Sequence, residues 1–365
     1  MTAAPAIERV TVSAYRFPAP HPESDGTLTW DATTAVAAEV HAGNAEGLGW
    51  TYSGTAAAAV IADNLTPAVQ GRDAFDIEGA WSAMHRACRN LGTKGLVMQA
   101  ISAVDIALWD LKARLLAVPV TTLFGQVRDR VPIYGSGGFT TSTDAEIAQD
   151  VAAWRAAGCR SMKIKIGKDF GNDVGWDMRR ATLLREIAGP DVELMVDANG
   201  AYTSGQARRV GQELAALGLR WFEEPVSSDD KAGLADVRRA VTADVAAGEY
   251  ISDTYDAQAL APVVDCLQLD TTRCGGYTGF LRGCAIAAAH NLEVSGHCAP
   301  SLHAPVAAAV PHLRHVECFD DHVRLEPLLV DGVPTVSGGA LEVPTRRPGH
   351  GMTMAAGAAD FSIME

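Results

Sequence analysis

The chain has 365 residues, of which 48% are hydrophobic and 20% are charged, and its formal net charge at pH 7 is −14. This length and composition suit one large domain with a smaller companion and exclude a disordered or fibrous protein. The acidic balance argues against a duplex nucleic-acid partner, which calls for a surplus of Lys and Arg, so an anionic substrate would have to be bound locally by a metal or a few placed cations.

The first nine residues show neither the basic and apolar regions of a signal peptide nor the pattern of a transit peptide. No apolar run approaches the length that is needed to span a bilayer. We therefore expect a cytoplasmic protein without a membrane partner. The seven cysteines show no paired metal-ligand spacing, and we expect them to be free and mostly buried.

Residues 1–125 are predicted to form an α+β capping domain. Two strand-like segments, at 10–17 and 34–41, and a turn at Gly43 and Asn44 precede a string of helices. The last of these helices is predicted over 98–116 and is strongly apolar on one side.

From Val131 onward, short β-branched runs alternate with Ala- and Arg-rich helical stretches at a period of roughly 20 to 32 residues, which is typical of βα units. Eight such strands favour a closed parallel (β/α)8 barrel over residues 126–325 rather than an open doubly wound sheet. The predicted strands are 131–135, 161–166, 193–197, 220–224, 245–249, 266–270, 292–295 and 316–319. Helical patterns between them include 144–157, 176–187, 204–217, 229–240 and 276–290.

The last segment, residues 326–365, is rich in Gly and Pro and is too short for a domain. It contains two short strand-like pieces, at 335–337 and 341–343. We expect it to pack back on the cap and to complete the capping domain.

Three carboxylates are predicted at the carboxyl ends of consecutive barrel strands: Asp197, Glu223 and Glu249. Side chains at these strand ends point into one shared pocket. Carboxylate oxygens are hard donors that select Mg²⁺ over zinc, and without a cation the three groups would repel one another. The pattern therefore predicts a Mg²⁺ site. Glu224 is the main ambiguity, because strand alternation should turn it toward the helices.

Two pairs of residues that could carry protons are predicted at other strand ends. Lys163 and Lys165 lie on one face of the second strand, and their mutual repulsion, with the metal, is expected to lower the pKa of the one that acts as a base. Asp270 and His297 end neighbouring strands, so the carboxylate can orient and charge the imidazole. Each pair alone fits a surface or structural role, and their shared position at the strand ends favours catalysis.

The segment 21–30 is predicted to be a loop of the cap that folds over the barrel mouth. It is polar apart from Trp30, which is a candidate substrate-binding residue. A polar lid suits a polyhydroxy acid better than an aryl acid. The alternative interpretation of this segment is a solvated hairpin.

These residues resemble the enolase superfamily, and within it the mandelate racemase subgroup. Order and spacing agree from about residue 131 to residue 320, and the cap-like segments extend the resemblance over essentially the whole chain. The matching motifs are Lys163-Ile-Lys165, Val196-Asp197-Ala198-Asn199, Trp221-Phe222-Glu223-Glu224-Pro225, Ala247-Gly248-Glu249, Leu269-Asp270 followed by Gly275-Gly276, Ser295-Gly296-His297, and Glu317.

The resemblance implies a metal site and a base. Asp197, Glu223 and Glu249 would bind an essential Mg²⁺, which in turn holds the substrate carboxylate. Lys165 would be the base on one face of the substrate. Lys163 would help to hold the carboxylate and to depress the pKa of Lys165.

The resemblance also implies groups on the other side of the substrate. His297, paired with Asp270, would be the acid or base on the opposite face. Glu317 would donate or share a proton with a carboxylate oxygen, and Asn199 would lie close to the same group. A carbon acid next to a carboxylate is very weak, so the enediolate that forms when its proton is lost must be neutralised as it forms.

Relatives in which the lysine and the histidine dyad both survive are racemases or, more often, acid-sugar dehydratases. We therefore predict Mg²⁺-dependent dehydration of an aldonate or aldarate to a 2-keto-3-deoxy acid. Racemisation or epimerisation of a 2-hydroxy acid and cycloisomerisation are the alternatives within the superfamily. A metal-independent Schiff-base aldolase and a non-catalytic carboxylate-binding protein are distant alternatives. The expected partner is a small-molecule carboxylate, and we expect a homo-oligomer, from a dimer to an octamer.

Overall fold

The computed structural model describes residues 5–364, and its N-terminal part is a three-stranded antiparallel sheet packed against helices. The strands, which pair in chain order, are β1 (Arg9–Ser24), β2 (Thr29–Ala42) and β3 (Ala45–Tyr52). The helices are α1 (Ala56–Val60), α2 (Thr66–Val69), α3 (Ile77–Ala87), α4 (Leu96–Leu115) and α5 (Val120–Phe124), with a π-helical turn (Ile61–Leu65) between α1 and α2. The two predicted strands and the predicted apolar helix are present, and both strands are longer than predicted.

β2 separates two hydrophobic cores, because alternate side chains of a strand point to opposite faces. Ala35 and Ala37 belong to the large core that the cap shares with the rest of the molecule. Val36 belongs to the core under the cap helices. α4 lies so close to β3 that a Cβ at Gly49 would be 2.2 Å from the carbonyl oxygen of Ala103, so this approach requires glycine.

Eight parallel strands follow the cap and close into a barrel. They are β4 (Arg130–Gly137), β5 (Ser161–Lys165), β6 (Glu193–Asp197), β7 (Leu219–Glu223), β8 (Asp244–Ala247), β9 (Cys266–Leu269), β10 (Glu293–Gly296) and β11 (Leu313–Phe319). β11 pairs in parallel with β4, with Val316 opposite Ile133, and this pairing completes the ring. The predicted barrel is confirmed.

Helices follow the barrel strands and cover the outside of the ring. They are α6 (Asp144–Ala156), α7 (Lys168–Gly171), α8 (Val174–Ala188), α9 (Ser204–Leu214), α10 (Lys231–Ala240), α11 (Thr254–Leu260), α12 (Gly276–Ala289), α13 (Pro300–Ala307) and α14 (Asp320–Leu329). Thr143 and Thr203 start α6 and α9 with reciprocal capping boxes, in which the third helical residue bonds back to the threonine. Within residues 5–364, no helix is both long enough and apolar enough to cross a bilayer.

Buried side chains fill the inside of the barrel. Tyr134, Met195, Trp221 and Cys266 form one apolar cluster there, and the ring of His315 packs on Tyr134 with centroids 4.5 Å apart. Cys266 is one of seven cysteines, all of which are free and buried, as predicted. The barrel is thus a packed core and not a pore, so its polar strand ends form a pocket on one side only.

The C-terminal segment contacts both the barrel and the cap. Its strands are β12 (Val330–Asp331), β13 (Val336–Ser337), β14 (Ala340–Glu342) and β15 (Thr353–Met354). β14 pairs antiparallel with β4, with Leu341 opposite Val131, while Ser362 bridges to Tyr15 of β1. The sequence predicted contact with the cap alone. The domain bounds at 125/126 and 325/326 stay predictions.

Residues 21–30 are not a loop, so that part of the prediction is wrong, whereas the segment does lie at the barrel mouth as predicted. β1 and β2 continue through most of this segment as a long hairpin, which leaves residues 25–28 as the turn. The backbone oxygen of Ser24 accepts a hydrogen bond of 2.8 Å from the amide of Thr140, which follows β4, so the hairpin end docks on the barrel mouth. The strand was missed because its pairing is irregular after Pro18, where polar residues and prolines replace the alternating pattern.

Candidate active site

Asp197, Glu223 and Glu249 come together at the carboxyl ends of neighbouring barrel strands. Asp197 ends β6 and Glu223 ends β7, and these two residues are direct partners in the strand register. Each of the three offers a carboxylate oxygen within 4.8 Å of the others, and all three side chains are buried. Buried carboxylates this close repel one another unless a cation neutralises them.

Glu249 reaches this group because the chain turns sharply after β8. Gly248 has φ 136°, and a Cβ there would lie 2.3 Å from the carbonyl oxygen of Gln268, so only glycine fits. Oε1 of Glu249 accepts a 3.0 Å hydrogen bond from Arg273. Oε2 is buried and accepts no hydrogen bond of good geometry within residues 5–364, although Nε2 of His297 lies 3.3 Å away. A buried carboxylate oxygen beside two other carboxylates fits a divalent cation with hard-ligand preference.

The two predicted lysines contact the carboxylates directly. Nζ of Lys163 lies 2.6 Å from Oε1 of Glu223 and 2.8 Å from Oε1 of Glu317. Nζ of Lys165 lies 2.5 Å from Oδ2 of Asp197. Burial and the charge of Lys163 lower the pKa of Lys165, but Asp197, Glu223 and Glu317 together outweigh them and raise it in the absence of a metal. The predicted lowering of this pKa depends on a bound metal as well as on Lys163, so it stays a prediction.

His297 and Asp270 form a dyad. Nδ1 of His297 donates to Oδ2 of Asp270 over 2.9 Å, and the other oxygen of Asp270 accepts two 2.7 Å hydrogen bonds from Thr272. Burial opposes the charge of Asp270, but the bond from His297 and the guanidinium of Arg273 outweigh it and lower the pKa of Asp270 to about 2. The carboxylate therefore fixes the imidazole with Nε2 3.3 Å from Oε2 of Glu249.

Glu317, on β11, lies between the lysines and the dyad. Its Oε1 accepts a 2.6 Å hydrogen bond from Ser136, and its Oε2 accepts a 2.9 Å hydrogen bond from the amide of Cys298. Burial alone would raise the pKa of Glu317, but Lys163 and His297 outweigh burial and lower it. The protein groups thus favour the ionised form, which differs from the proton-donating role that the resemblance implies.

Two further polar residues lie beside the carboxylates. The amide of Asn199 donates to Oδ1 of Asp197 over 2.8 Å, and the side-chain oxygen of Asn199 has no hydrogen-bond partner in the described part of the chain. Glu224 is buried, and its pKa is raised by burial and by the charge of Glu249. It therefore belongs to the acidic group, and the prediction that it turns toward the helices is wrong. Glu224 has φ 35°, which is outside the range of a strand, so the alternation of side chains on which that prediction depended does not extend to it.

A cavity of about 360 Å³ lies between the barrel mouth and the cap. The barrel side of its wall includes Lys165, Asn199, Glu249, Arg273, His297, Cys298, Glu317, Phe319, Asp321 and His322, and the cap side includes Asp25, Leu28, Trp30, Thr33, Thr34, Tyr52 and Ser53. The indole of Trp30 packs edge-on against Phe139 with centroids 5.5 Å apart, and its Nε1 donates to Glu23 over 3.0 Å. Trp30 is thus held in the wall by both packing and a hydrogen bond.

Some residues of this wall were not predicted from the sequence. His322 stacks on Tyr52 with ring centroids 3.7 Å apart, and Asp321 accepts a hydrogen bond from Thr33. Asp321 and His322 follow the end of the eighth strand, so the strand-end rule that found the other barrel residues could have found them. Tyr52 and Thr33 come from the cap, where no comparable rule applied.

Comparison with known proteins gives the same result over the whole fold. The N-terminal domain model of the mandelate racemase/muconate lactonizing enzyme family matches residues 7–125. The enolase C-terminal domain-like model of the same family matches residues 146–358. Together these matches span the cap and nearly all of the barrel.

Individual relatives cover the chain from end to end. The 3,6-anhydro-alpha-L-galactonate cycloisomerase of Streptomyces coelicolor is 34% identical over 359 residues, which are 95% of this chain and 97% of the relative. A mandelate racemase/muconate lactonizing enzyme-like protein from Rubrobacter xylanophilus has a crystal structure with a TM-score of 0.95 and 42% identity, covering 98% of this chain and 100% of that one. The L-talarate/galactarate dehydratase of Salmonella typhimurium, liganded with Mg and L-lyxarohydroxamate, has a TM-score of 0.91 and 29% identity, covering 100% of this chain and 94% of that one.

These matches argue against the Schiff-base aldolase and the non-catalytic carboxylate-binding protein, since the named relatives are dehydratases and cycloisomerases of sugar acids. The motifs at the strand ends predicted the same family. The chain is an enzyme of the mandelate racemase/muconate lactonizing enzyme family, within the enolase superfamily.

Proposed function

We propose that this enzyme uses Mg²⁺ to remove the proton α to the carboxylate of an acid sugar and then eliminates a β-hydroxyl, giving a 2-keto-3-deoxy acid. One observation carries the proposal. The triad Asp197, Glu223 and Glu249 is flanked by a lysine at the Asp197 end, at 2.5 Å, and by a histidine at the Glu249 end, at 3.3 Å. Two proton carriers on opposite sides of one site suit removal of a proton from one side and delivery on the other.

The triad would hold the ion. Asp197, Glu223 and Glu249 are oxygen donors on three adjoining strands, and each offers a carboxylate oxygen within 4.8 Å of the others. When bound, Mg²⁺ supplies positive charge that acidifies the α-proton and offsets the charge of the enediolate. The Salmonella dehydratase, crystallised with Mg, supports this assignment.

Lys165 would take the α-proton on Nζ, because it lines the cavity, while Lys163 is fully buried behind it. As the base, Lys165 must first be neutral, although Asp197 favours its charged form. The role of Lys163 would be electrostatic, since its buried ammonium adds positive charge close to where the substrate carboxylate would lie, beside Asn199. Glu317 would position Lys163 through their 2.8 Å ion pair.

His297 would complete the elimination. As the C–O bond to the β-carbon breaks, Nε2 of His297 gives its proton to the departing oxygen, which leaves as water, and the enol that remains tautomerises to the 2-keto acid. Asp270 stabilises the imidazolium that this step requires, through the 2.9 Å bond to Nδ1. Burial lowers the pKa of His297, but Cys298, Glu249 and the bond to Asp270 together outweigh burial and raise it, which suits an acid at neutral pH.

The test is a screen of aldonates and aldarates with Mg²⁺ for 2-keto product. Lys165→Ala and His297→Asn are the controls, and both should lose the activity. The same substrates incubated in D₂O report proton exchange at the α-carbon. Exchange or epimerisation at that carbon without any 2-keto product would overturn the proposal and favour a racemase.

Cycloisomerisation is a second candidate. The Streptomyces coelicolor relative, which this chain matches over 97% of the relative's length, is a cycloisomerase, and another relative is a D-galactarolactone cycloisomerase. The same base and acid would serve it, with a ring oxygen in place of a hydroxyl as the leaving group. Assays with 3,6-anhydro-sugar acids and sugar-acid lactones distinguish the two reactions. A homo-oligomer and a cytoplasmic location stay predictions, and gel filtration with light scattering tests the first.

A further inference from the structure

The thiol of Cys298 lies in the cavity beside two groups that the proposed reaction uses. Its Sγ is 3.4 Å from Nε2 of His297 and 3.5 Å from Oε2 of Glu317. Nε2 of His297 and Oε2 of Glu317 are 3.7 Å apart. All three side chains are buried, and each offers one donor atom of a different kind to the same small volume.

This triangle has the size of one face of a zinc coordination tetrahedron. Zinc binds Cys sulfur at about 2.3 Å, His nitrogen at about 2.0 Å and carboxylate oxygen at about 2.0 to 2.2 Å, so the edges of such a tetrahedron are roughly 3.3 to 3.6 Å long. The three distances in the structure, 3.4, 3.5 and 3.7 Å, are close to these values. The donors therefore need little movement to close around an ion.

Hydrogen bonds already hold the donors in place. Asp270 accepts from Nδ1 of His297, which is the carboxylate–histidine arrangement that orients imidazole ligands at metal sites. Ser136 and Lys163 both contact Oε1 of Glu317 and leave Oε2 on the side of the thiol. Cys298 has φ 50°, a conformation that is rare for a residue other than glycine. This outer layer makes the cluster a built site and not a chance contact of three side chains.

We propose that His297, Cys298 and Glu317 form a second metal site, distinct from the carboxylate triad, which takes a thiophilic divalent cation such as Zn²⁺. Nitrogen and sulfur donors select Zn²⁺ over Mg²⁺, whereas the oxygen-only triad suits Mg²⁺. All three residues line the cavity. Binding releases the thiol proton of Cys298 and the Nε2 proton of His297 to solvent, because the thiolate and the neutral imidazole are the ligands.

The site has a consequence for catalysis that rests on the proposed function. An ion on Nε2 of His297 occupies the atom that would give its proton to the leaving group. Zn²⁺ therefore inhibits the Mg²⁺-loaded enzyme. The binding itself requires neither a substrate nor turnover, so it is tested separately.

Co²⁺ is the probe for binding, since Co²⁺ takes zinc sites and shows a thiolate charge-transfer band in the near ultraviolet. Mg²⁺-saturated full-length protein titrated with Co²⁺ should develop this band and saturate at one equivalent. Cys298→Ser should abolish the band, whereas Cys88→Ser, which removes a buried thiol of the cap, should retain it. Absence of the band from the unmodified protein, or its persistence in Cys298→Ser, overturns the proposal. Circular dichroism checks that the variants fold, and Cys298→Ala replaces Cys298→Ser if the latter does not.

Zinc inhibition is the second measurement. Competition of Zn²⁺ against a chromophoric chelator should show affinity reduced at least about 100-fold in Cys298→Ser, since even the loss of an outer-shell partner costs 10- to 100-fold. The zinc concentration that halves turnover should rise by a similar factor. Equal inhibition of both proteins would mean that Zn²⁺ acts only by displacing Mg²⁺ from the triad, which contradicts the proposal. If no turnover is found with any acid sugar, the proposed function fails while the Co²⁺ result still decides the site.

Discussion

Asp105 in the middle of α4 accepts two hydrogen bonds from Thr278 at the start of α12, from the hydroxyl at 2.6 Å and from the amide at 3.0 Å. This contact joins the cap to the barrel. The hydroxyl of Thr278 also accepts a 2.9 Å bond from the indole of Trp109. The chain passes Asp105 at Gly276, where a Cβ would lie 2.3 Å from Oδ2 of Asp105, so no larger residue fits without displacing it.

We predict that Asp105→Ala lowers the free energy of unfolding by about 1 to 3 kcal/mol, because it leaves the buried donors of Thr278 without a partner. Chemical denaturation followed by tryptophan fluorescence measures this. Thr278→Val is the matched variant from the other side of the contact. The double variant should lose less than the sum of the two single losses, and full additivity would show that the two residues do not interact.

The same carboxyl group should make stability depend on pH. Burial raises the pKa of Asp105 from its ordinary value of 3.8 to about 7. The folded protein therefore keeps this proton between about pH 4 and pH 7 while the unfolded chain loses it. The contribution to stability is full below pH 4, falls through this window and is constant above about pH 7.

Asp105→Asn is the comparison, because an amide keeps the shape but does not titrate. As the pH rises from 4 to 7, the free energy of unfolding of the unmodified protein should fall relative to that of Asp105→Asn, by about 1 kcal/mol per pH unit. Urea denaturation at several pH values measures it. If the free energies of unfolding of the two proteins change in parallel with pH, the pKa of Asp105 is not raised in the folded state.

Removal of Mg²⁺ should abolish turnover and also destabilise the fold. Asp197, Glu223 and Glu249 repel one another without a cation. An ion that is present at a concentration 100 times its dissociation constant stabilises the folded state by about 2.7 kcal/mol. Thermal unfolding with EDTA and after readdition of Mg²⁺ measures the second effect. In Glu249→Gln, readdition of Mg²⁺ should raise the unfolding temperature by less than in the unmodified protein. Full turnover after thorough chelation would contradict both the metal site and the proposed chemistry.

Asp270→Asn should reduce kcat by about 10² to 10⁴ with little change in KM, since an amide cannot stabilise the imidazolium of His297 and Asp270 does not line the cavity. Asp265, just before the amino end of the same strand, gives the matched control. Asp265 pairs with Arg238, and Asp265→Asn should leave kcat unchanged. An equal loss in the two variants would point to a general disturbance of β9.

The sequence predicted those parts of the site that depend on regular strands. Asp197 and Glu223 were found because β6 and β7 end there, and a parallel barrel brings its strand ends together. Glu224 was misplaced because its positive φ lies one residue beyond β7, where strand alternation no longer applies. The ion pair of 2.5 Å between Lys165 and Asp197 was missed, because spacing along the chain does not give such a distance.

The contribution of the cap to the cavity was predicted only in part: Trp30 was named, but the contact of His322 with the cap was not, and His322 shows why. It follows the eighth strand, but it faces the cavity in company with Tyr52 of β3, which is 270 residues earlier in the chain. Only the closed fold brings the two rings into contact. Local sequence patterns carry no information on a pair so far apart.

His322 is predicted to bind an uncharged hydroxyl of the substrate. Its Nδ1 accepts a 2.9 Å hydrogen bond from the amide of Ala299, so the neutral ring carries its proton on Nε2. Burial lowers the pKa of His322 to about 3, so the ring stays neutral at physiological pH and offers an uncharged donor. His322→Phe keeps the stacking on Tyr52 but removes this donor, and we expect KM to rise about tenfold with kcat nearly unchanged, the loss of about one hydrogen bond. Steady-state kinetics with the acid sugar found by the screen measures this. His322→Gln should restore part of the affinity if the donor is what matters, whereas an equal rise of KM in both variants would show that the imidazole acts only through its packing.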